Sequence, residues 1–116
     1  MPFRVLSISY DHTLLHVREE LLKREGYEVV SAEGFVNALK RCHEGNYDLV
    51  AMGHSIPFSD KRALLDAITR DCPVPVISLI REGDPDLEGA AAHVDPFQPQ
   101  EFIRITRSLL VPKTRA

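Results

Sequence analysis

In Asp48-Leu49-Val50-Ala51-Met52-Gly53-His54-Ser55-Ile56-Pro57 an unbroken apolar run, 49–52, stops at a glycine and the segment is closed by a proline. A short run with no polar alternation suits a strand covered on both faces, as the strands of a parallel sheet are. Gly53 and Pro57 punctuate it, leaving a polar turn at its carboxyl end. The same unit recurs outward from here. Val5-Leu6-Ser7-Ile8 and Tyr27-Glu28-Val29-Val30 precede it; Val74-Pro75-Val76-Ile77-Ser78-Leu79-Ile80 and His93-Val94 follow. Between these runs the apolar period becomes helical. Asp11 reads as an N-cap, Leu14, Val17, Leu21 and Leu22 as the inward face, and Gly26 as the stop. Arg18, Glu19, Glu20, Lys23 and Arg24 read as the solvated face of that helix. A second helix carries Phe35, Ala38 and Leu39 and ends near Glu44 at Gly45-Asn46. A third begins between Pro57 and Asp60, with Ala63, Leu64, Ala67 and Ile68 inward. The last carries Phe102, Ile105, Leu109 and Leu110 and is ended by Pro112.

Strand and helix alternating in this way predict an α/β fold: a doubly wound, five-stranded parallel sheet in a three-layer α/β/α arrangement. One domain spans 1–116, with 113–116 as a basic tail. Right-handed crossovers put helices on both faces, and ligands of such sheets gather at the carboxyl ends of the strands. Those ends are Ser9-Tyr10, Gly53-His54, Ile80-Arg81 and Asp95. The stretch 81–89 contains Gly83, Pro85 and Gly89, all unfavourable in a helix. The fourth crossover is therefore expected to be a shortened fourth helix, a single turn or an irregular loop.

Composition narrows the function. With 44% hydrophobic and 27% charged residues, the chain has the make-up of an ordinary globular domain. A net charge of −3 lacks the Lys and Arg excess of a nucleic-acid binder. No apolar run reaches the roughly 18 residues of a membrane span. Met1-Pro2-Phe3-Arg4 runs straight into the first strand with no signal peptide, so a cytoplasmic location is expected. Cys42 and Cys72 form no CxxC pair and read as reduced structural thiols.

Several short motifs stand in a shared order: Gly26-Tyr27-Glu28-Val29, Ala38-Leu39, Tyr47-Asp48-Leu49-Val50, Pro57, Pro75-Val76-Ile77, Asp95-Pro96-Phe97 and Phe102. In that order and spacing the chain resembles a CheY-like (flavodoxin-like) receiver domain of two-component response regulators over nearly its whole length. Carried across one position at a time, the resemblance implies a site without its chemistry. The family's Mg²⁺-binding acidic pair falls on Ser9 and Tyr10. Its phosphoacceptor aspartate falls on Gly53, which has no side chain to act as a nucleophile. Its phosphoryl-contacting threonine or serine falls on Ile80, and its lysine on Asp95. Mg²⁺ requires hard oxygen ligands, and phosphoryl transfer requires electrostatic organisation. A carboxylate at Asp95 would instead repel phosphate, by about 3 kcal/mol at roughly 5 Å and an effective dielectric of about 20. The interval from Ile80 to Asp95 is shorter than the family's by nearly two helical turns, and the aromatic switch position falls on Ala92.

These substitutions imply a non-enzymatic, phosphorylation-independent protein-interaction module of bacterial signal transduction. No cofactor, nucleic-acid or membrane partner is expected. The expected interaction surface comprises Arg81, Glu82 and Asp86 with Arg104 and Arg107, and homodimerisation there is a further expectation. The alternative is a metal or small-molecule sensor in the remodelled pocket. Asp11, His12, His54 and Asp95 would be its metal ligands, although their spacing matches no metal motif. Ser9, Tyr10 and Ser55 are expected to fill the vacated pocket and hydrogen-bond one another.

Overall fold

The computed structural model describes residues 2–111; Pro112 as a helix stop and the tail 113–116 lie outside them. Five strands, β1 (Arg4–Ser9), β2 (Glu28–Glu33), β3 (Leu49–Met52), β4 (Val76–Leu79) and β5 (Ala92–Val94), alternate with four helices. The helices are α1 (His12–Arg24), α2 (Phe35–Glu44), α3 (Phe58–Asp71) and α4 (Pro99–Leu109). The sheet order is β2-β1-β3-β4-β5, with every pairing parallel. This order places a topological switch point between β1 and β3, where their carboxyl ends form a crevice.

Alternate strand residues feed two cores. Leu6, Ile8, Val50 and Met52 point to the layer holding Ala38, Cys42, Leu64 and Ile68 of α2 and α3. Val5, Leu49, Ala51, Ile77 and Leu79 point to the layer holding Leu22 of α1 and Phe102 of α4. The apolar runs at β3 and β4 are buried at every position, as strands covered on both faces must be.

Local signals set the helix ends. The Asp11 carboxylate accepts from the Leu14 N–H at 3.0 Å and caps α1. The chain leaves α1 through Gly26 at φ +87°, a left-handed turn that favours glycine.

Several details differ from the periodicity reading. The buried stripe of α1 is Leu15, Arg18 and Leu22, while Val17 is exposed. Of the expected inward face, Leu22 is buried and Leu14 and Leu21 are half-buried; Leu15 and Arg18, the latter expected on the solvated face, are buried with Leu22 because 15/18/22 has the same helical spacing as 14/17/21. In α3, Ala63 is exposed and Lys61 is buried beside Leu64. The fourth strand starts at Val76, because Pro75 cannot donate to the ladder; its carbonyl accepts from the Val50 N–H. Among the described residues no helix joins β4 to β5. That segment is a loop anchored by buried Leu87, whose N–H donates to Nε2 of His93 at 2.8 Å.

Candidate functional site

The β1–α1 and β3–α3 turns meet at the carboxyl edge of the sheet and are joined by a serine plug. Ser9 is fully buried; its Oγ accepts from the Asp11 N–H at 3.0 Å and lies 3.1 Å from Ser55 Oγ. Ser55 Oγ in turn accepts from the Tyr10 N–H at 3.0 Å. The Tyr10 hydroxyl leaves this knot and donates to Asp60 on α3 at 2.8 Å. Burial, then the Asp60 carboxylate, pushes the Tyr10 phenol well above its ordinary pKa. The expectation that Ser9, Tyr10 and Ser55 fill this pocket therefore matches the geometry.

Gly53 sits beside the plug, and its N–H donates to the Ile8 carbonyl at 2.9 Å. The space above its Cα holds Arg18: a Cβ added at Gly53 would stand 2.7 Å from Arg18 Nη1. Arg18 is only 5% exposed, and its Nη1 has no hydrogen-bond partner. Its Nη2 lies 3.4 Å from His54 Nδ1. A guanidinium only donates, so Nδ1 must be the acceptor and His54 neutral there. Burial, then the cations Arg18, Arg81 and Lys61, hold the His54 pKa below its ordinary value. Among the described residues Arg18 makes no ion pair.

A second buried cation lies on the other side of β3. Lys61, 4% exposed, reaches from α3 to β4, where its Nζ donates to Ser78 Oγ at 2.9 Å and to the Leu79 carbonyl at 2.8 Å. Both acceptors are neutral, and burial lowers the Lys61 pKa to about 8. Lys61 lines a cleft of about 210 Å³ with His54, Ser55, Phe58, Arg81 and Asp84. Arg81 and Asp84 face each other across 3.4 Å at its rim. The His54 ring is covered by Phe97, 5.6 Å away between centroids.

The remaining expected site residues are scattered. Ile80 and Asp95 end neighbouring strands, with the Ile80 N–H donating to the Val94 carbonyl at 2.9 Å. The Asp95 carboxylate turns back to accept from the Phe97 N–H at 2.8 Å. The metal set is not assembled. Asp11 caps α1, His12 pairs with Glu33 at 2.9 Å, His54 lies against Arg18, and Asp95 belongs to its own turn. Among the described residues no group of three or more His, Cys, Asp or Glu could hold a metal ion. Local backbone and side-chain partners have claimed each candidate ligand separately.

On the outer surface, Arg81, Glu82, Asp86, Arg104 and Arg107 are all exposed. Arg104 pairs with Glu101 at 2.6 Å, and Arg107 reaches Glu25 at the end of α1, also at 2.6 Å. Cys42 and Cys72 are buried free thiols, and burial pushes Cys42 up to about 11, away from thiolate reactivity. Among the described residues no helix is long and apolar enough to cross a membrane.

Sequence reasoning missed Arg18 and Lys61. The only available signal was their phase: Arg18 is three residues after Leu15 and four before Leu22, and Lys61 is three before Leu64.

No family model matches the chain. It is 25% identical over 114 residues to the transcriptional regulatory protein ResD of Bacillus subtilis, covering 92% of this chain and 48% of that protein. It is 35% identical over 83 residues to the two-component response regulator ORR22 of Oryza sativa, covering 70% of this chain and 12% of that protein. The chain thus spans half or less of the length of the curated relatives it matches. Among solved structures it superposes on the response regulator TrrA of Thermotoga maritima, in complex with Mg²⁺ and BeF, with a TM-score of 0.76. The identity there is 26%, over 93% of this chain and 99% of that one.

Proposed function

We propose that this chain, a CheY-like response-regulator receiver domain of two-component signalling, is a non-enzymatic protein-interaction module whose state is not set by phosphorylation. The supporting observation is the packing of the Arg18 guanidinium over Gly53. An acceptor would need a carboxylate at that point, with acidic neighbours to hold Mg²⁺ against it. Residue 53 has no side chain, a cation fills the space above it, and the adjoining Ser9 and Ser55 hydroxyls bond each other and nearby backbone. TrrA, by contrast, is a structure with Mg²⁺ and BeF bound.

The test is intact-mass measurement after incubation with acetyl phosphate and Mg²⁺. The expected spectrum is that of unmodified protein. A stable phosphate adduct on the wild-type chain would overturn the proposal.

Recognition is assigned to loop 81–88, the edge strand β5 and α4. Glu82 and Asp86 carry one sign of charge and Arg104 and Arg107 the other, a composition that can complement a second copy across a two-fold axis. Sedimentation of the wild type against the double variant Arg104→Glu/Arg107→Glu should show a dimer lost in the variant. A wild type that stays monomeric at high concentration would remove self-association from the proposal.

A further inference from the structure

Two cations are buried at the carboxyl edge of this sheet, and among the described residues neither makes an ion pair. Arg18 is 5% exposed with an unpartnered Nη1, and Lys61 is 4% exposed with only neutral acceptors. A charge removed from water without a counter-charge is strongly unfavourable, and an unsatisfied buried group calls for a missing partner. A third cation, Arg81, stands half-exposed at the rim. The amino end of α3 opens onto the same cleft, its first residues Pro57 and Phe58 having no side-chain cap. Asp84 is the one carboxylate among the residues lining the cleft, and Arg81 already engages it through its backbone N–H at 2.8 Å as well as its side chain. The neutral His54 adds no negative charge.

We propose that this cleft binds a small oxyanion, the phosphate or carboxylate group of a diffusible ligand. Lys61 and Arg81 hold it without a covalent bond, in the positive field of Arg18 and the first turn of α3. The ammonium of Lys61 has a third N–H beyond the two given to Ser78 and Leu79, and it lines the cavity. The volume of about 210 Å³ suits a small ionic group rather than a large cofactor. The ligand would complete the charge balance of the edge and tie the β3–α3 turn to the β4–β5 loop. This site stands independently of the protein-interaction reading; a covalent phosphate adduct would remove that reading and leave the site to be judged by its own test.

The full chain is titrated separately with inorganic phosphate, acetate and adenosine monophosphate. Mg²⁺ is absent and ionic strength is held constant with sodium chloride. Calorimetry and thermal unfolding should show saturable binding and a rising Tm with at least one of the three. Binding of phosphate and the nucleotide but not acetate assigns a phosphate group; binding of acetate alone assigns a carboxylate. Arg81→Gln should weaken the interaction roughly tenfold, and Asp84→Asn should tighten it. Arg81 and Asp84 stand at the rim with side chains 57% and 29% exposed, and thermal unfolding of each variant without anion checks that it folds. Lys61→Met should abolish binding. The proposal fails if no anion binds saturably, or if the wild type, Arg81→Gln and Asp84→Asn bind with equal affinity.

Discussion

Nη1 of Arg18 lies 2.7 Å from the point where a Cβ on Gly53 would stand, so a residue on the first helix occupies the space a side chain on the third strand would need. The same Cβ would meet the Ile8 carbonyl at 3.2 Å and Ser9 Oγ at 3.4 Å. The absent side chain and the buried guanidinium are one structural feature, and substitutions at either end should reveal the coupling.

Gly53→Ala should destabilise the fold by about 1–3 kcal/mol, since the methyl forces Arg18 aside in a packed site. Gly53→Asp, although larger, should cost less than alanine, because its carboxylate can pair with the displaced guanidinium. Urea unfolding of the three proteins checks the order. An aspartate variant less stable than the alanine variant would show that Arg18 is not the deciding neighbour.

Arg18→Met keeps much of the side-chain volume and removes an uncompensated charge. It should raise stability by about 1 kcal/mol or more in buffer without phosphate or carboxylate anions. Thermal unfolding at matched ionic strength measures this. A clear loss of stability would mean that the guanidinium is satisfied where it lies.

Lys61 gives a pH dependence of definite sign. Its folded pKa of about 8 lies below the ordinary lysine value of 10.5, so above pH 8 the unfolded chain holds more protons than the folded one. Stability therefore rises with pH from about 8 towards 10.5, and the protonated form carries the penalty below that window. The Cys42 thiol, raised from 9.0 to about 11, acts in the opposite direction above pH 9, which leaves pH 7.5 to 9 as the clean interval. The Lys61 contribution there is about 1 kcal/mol. Urea midpoints across that interval should rise for the wild type and stay flat for Lys61→Met.

Ser55→Ala deprives the Tyr10 N–H of its acceptor and Ser9 Oγ of its neighbour. Leaving these groups unpaired should cost about 1–3 kcal/mol. Amide exchange should be faster at Tyr10 and unchanged in α2. Protection at Tyr10 equal to wild type would show that the serine plug does not hold the two turns together.

The fold was legible because its signals are local. The apolar run 49–52 had to be a doubly covered strand, Asp11 had to cap the helix after it, and Gly83, Pro85 and Gly89 could not sustain a helix. That Ser9 and Tyr10 carry no carboxylate and Gly53 no side chain was equally plain, since a residue type can be read directly. The four-residue metal set was not legible. Asp11, His12, His54 and Asp95 belong to different turns, and each spends its polar atoms on a nearby partner. Nor was the phase of α1, where a stripe interrupted by an arginine proved to be the buried one.

The amino-acid order alone determined the alternation of strands and helices, the irregular segment between β4 and β5 and the lack of a side chain at residue 53, because each depends on a residue and its near neighbours. Only the folded chain decided that Arg18 and Lys61 turn inward and make this edge of the sheet cationic. Burying a charge depends on which surface meets it from across the sheet. Arg18 is buried because a glycine far along the chain leaves room for it, and Lys61 because Ser78 and Leu79 present oxygen atoms within its reach.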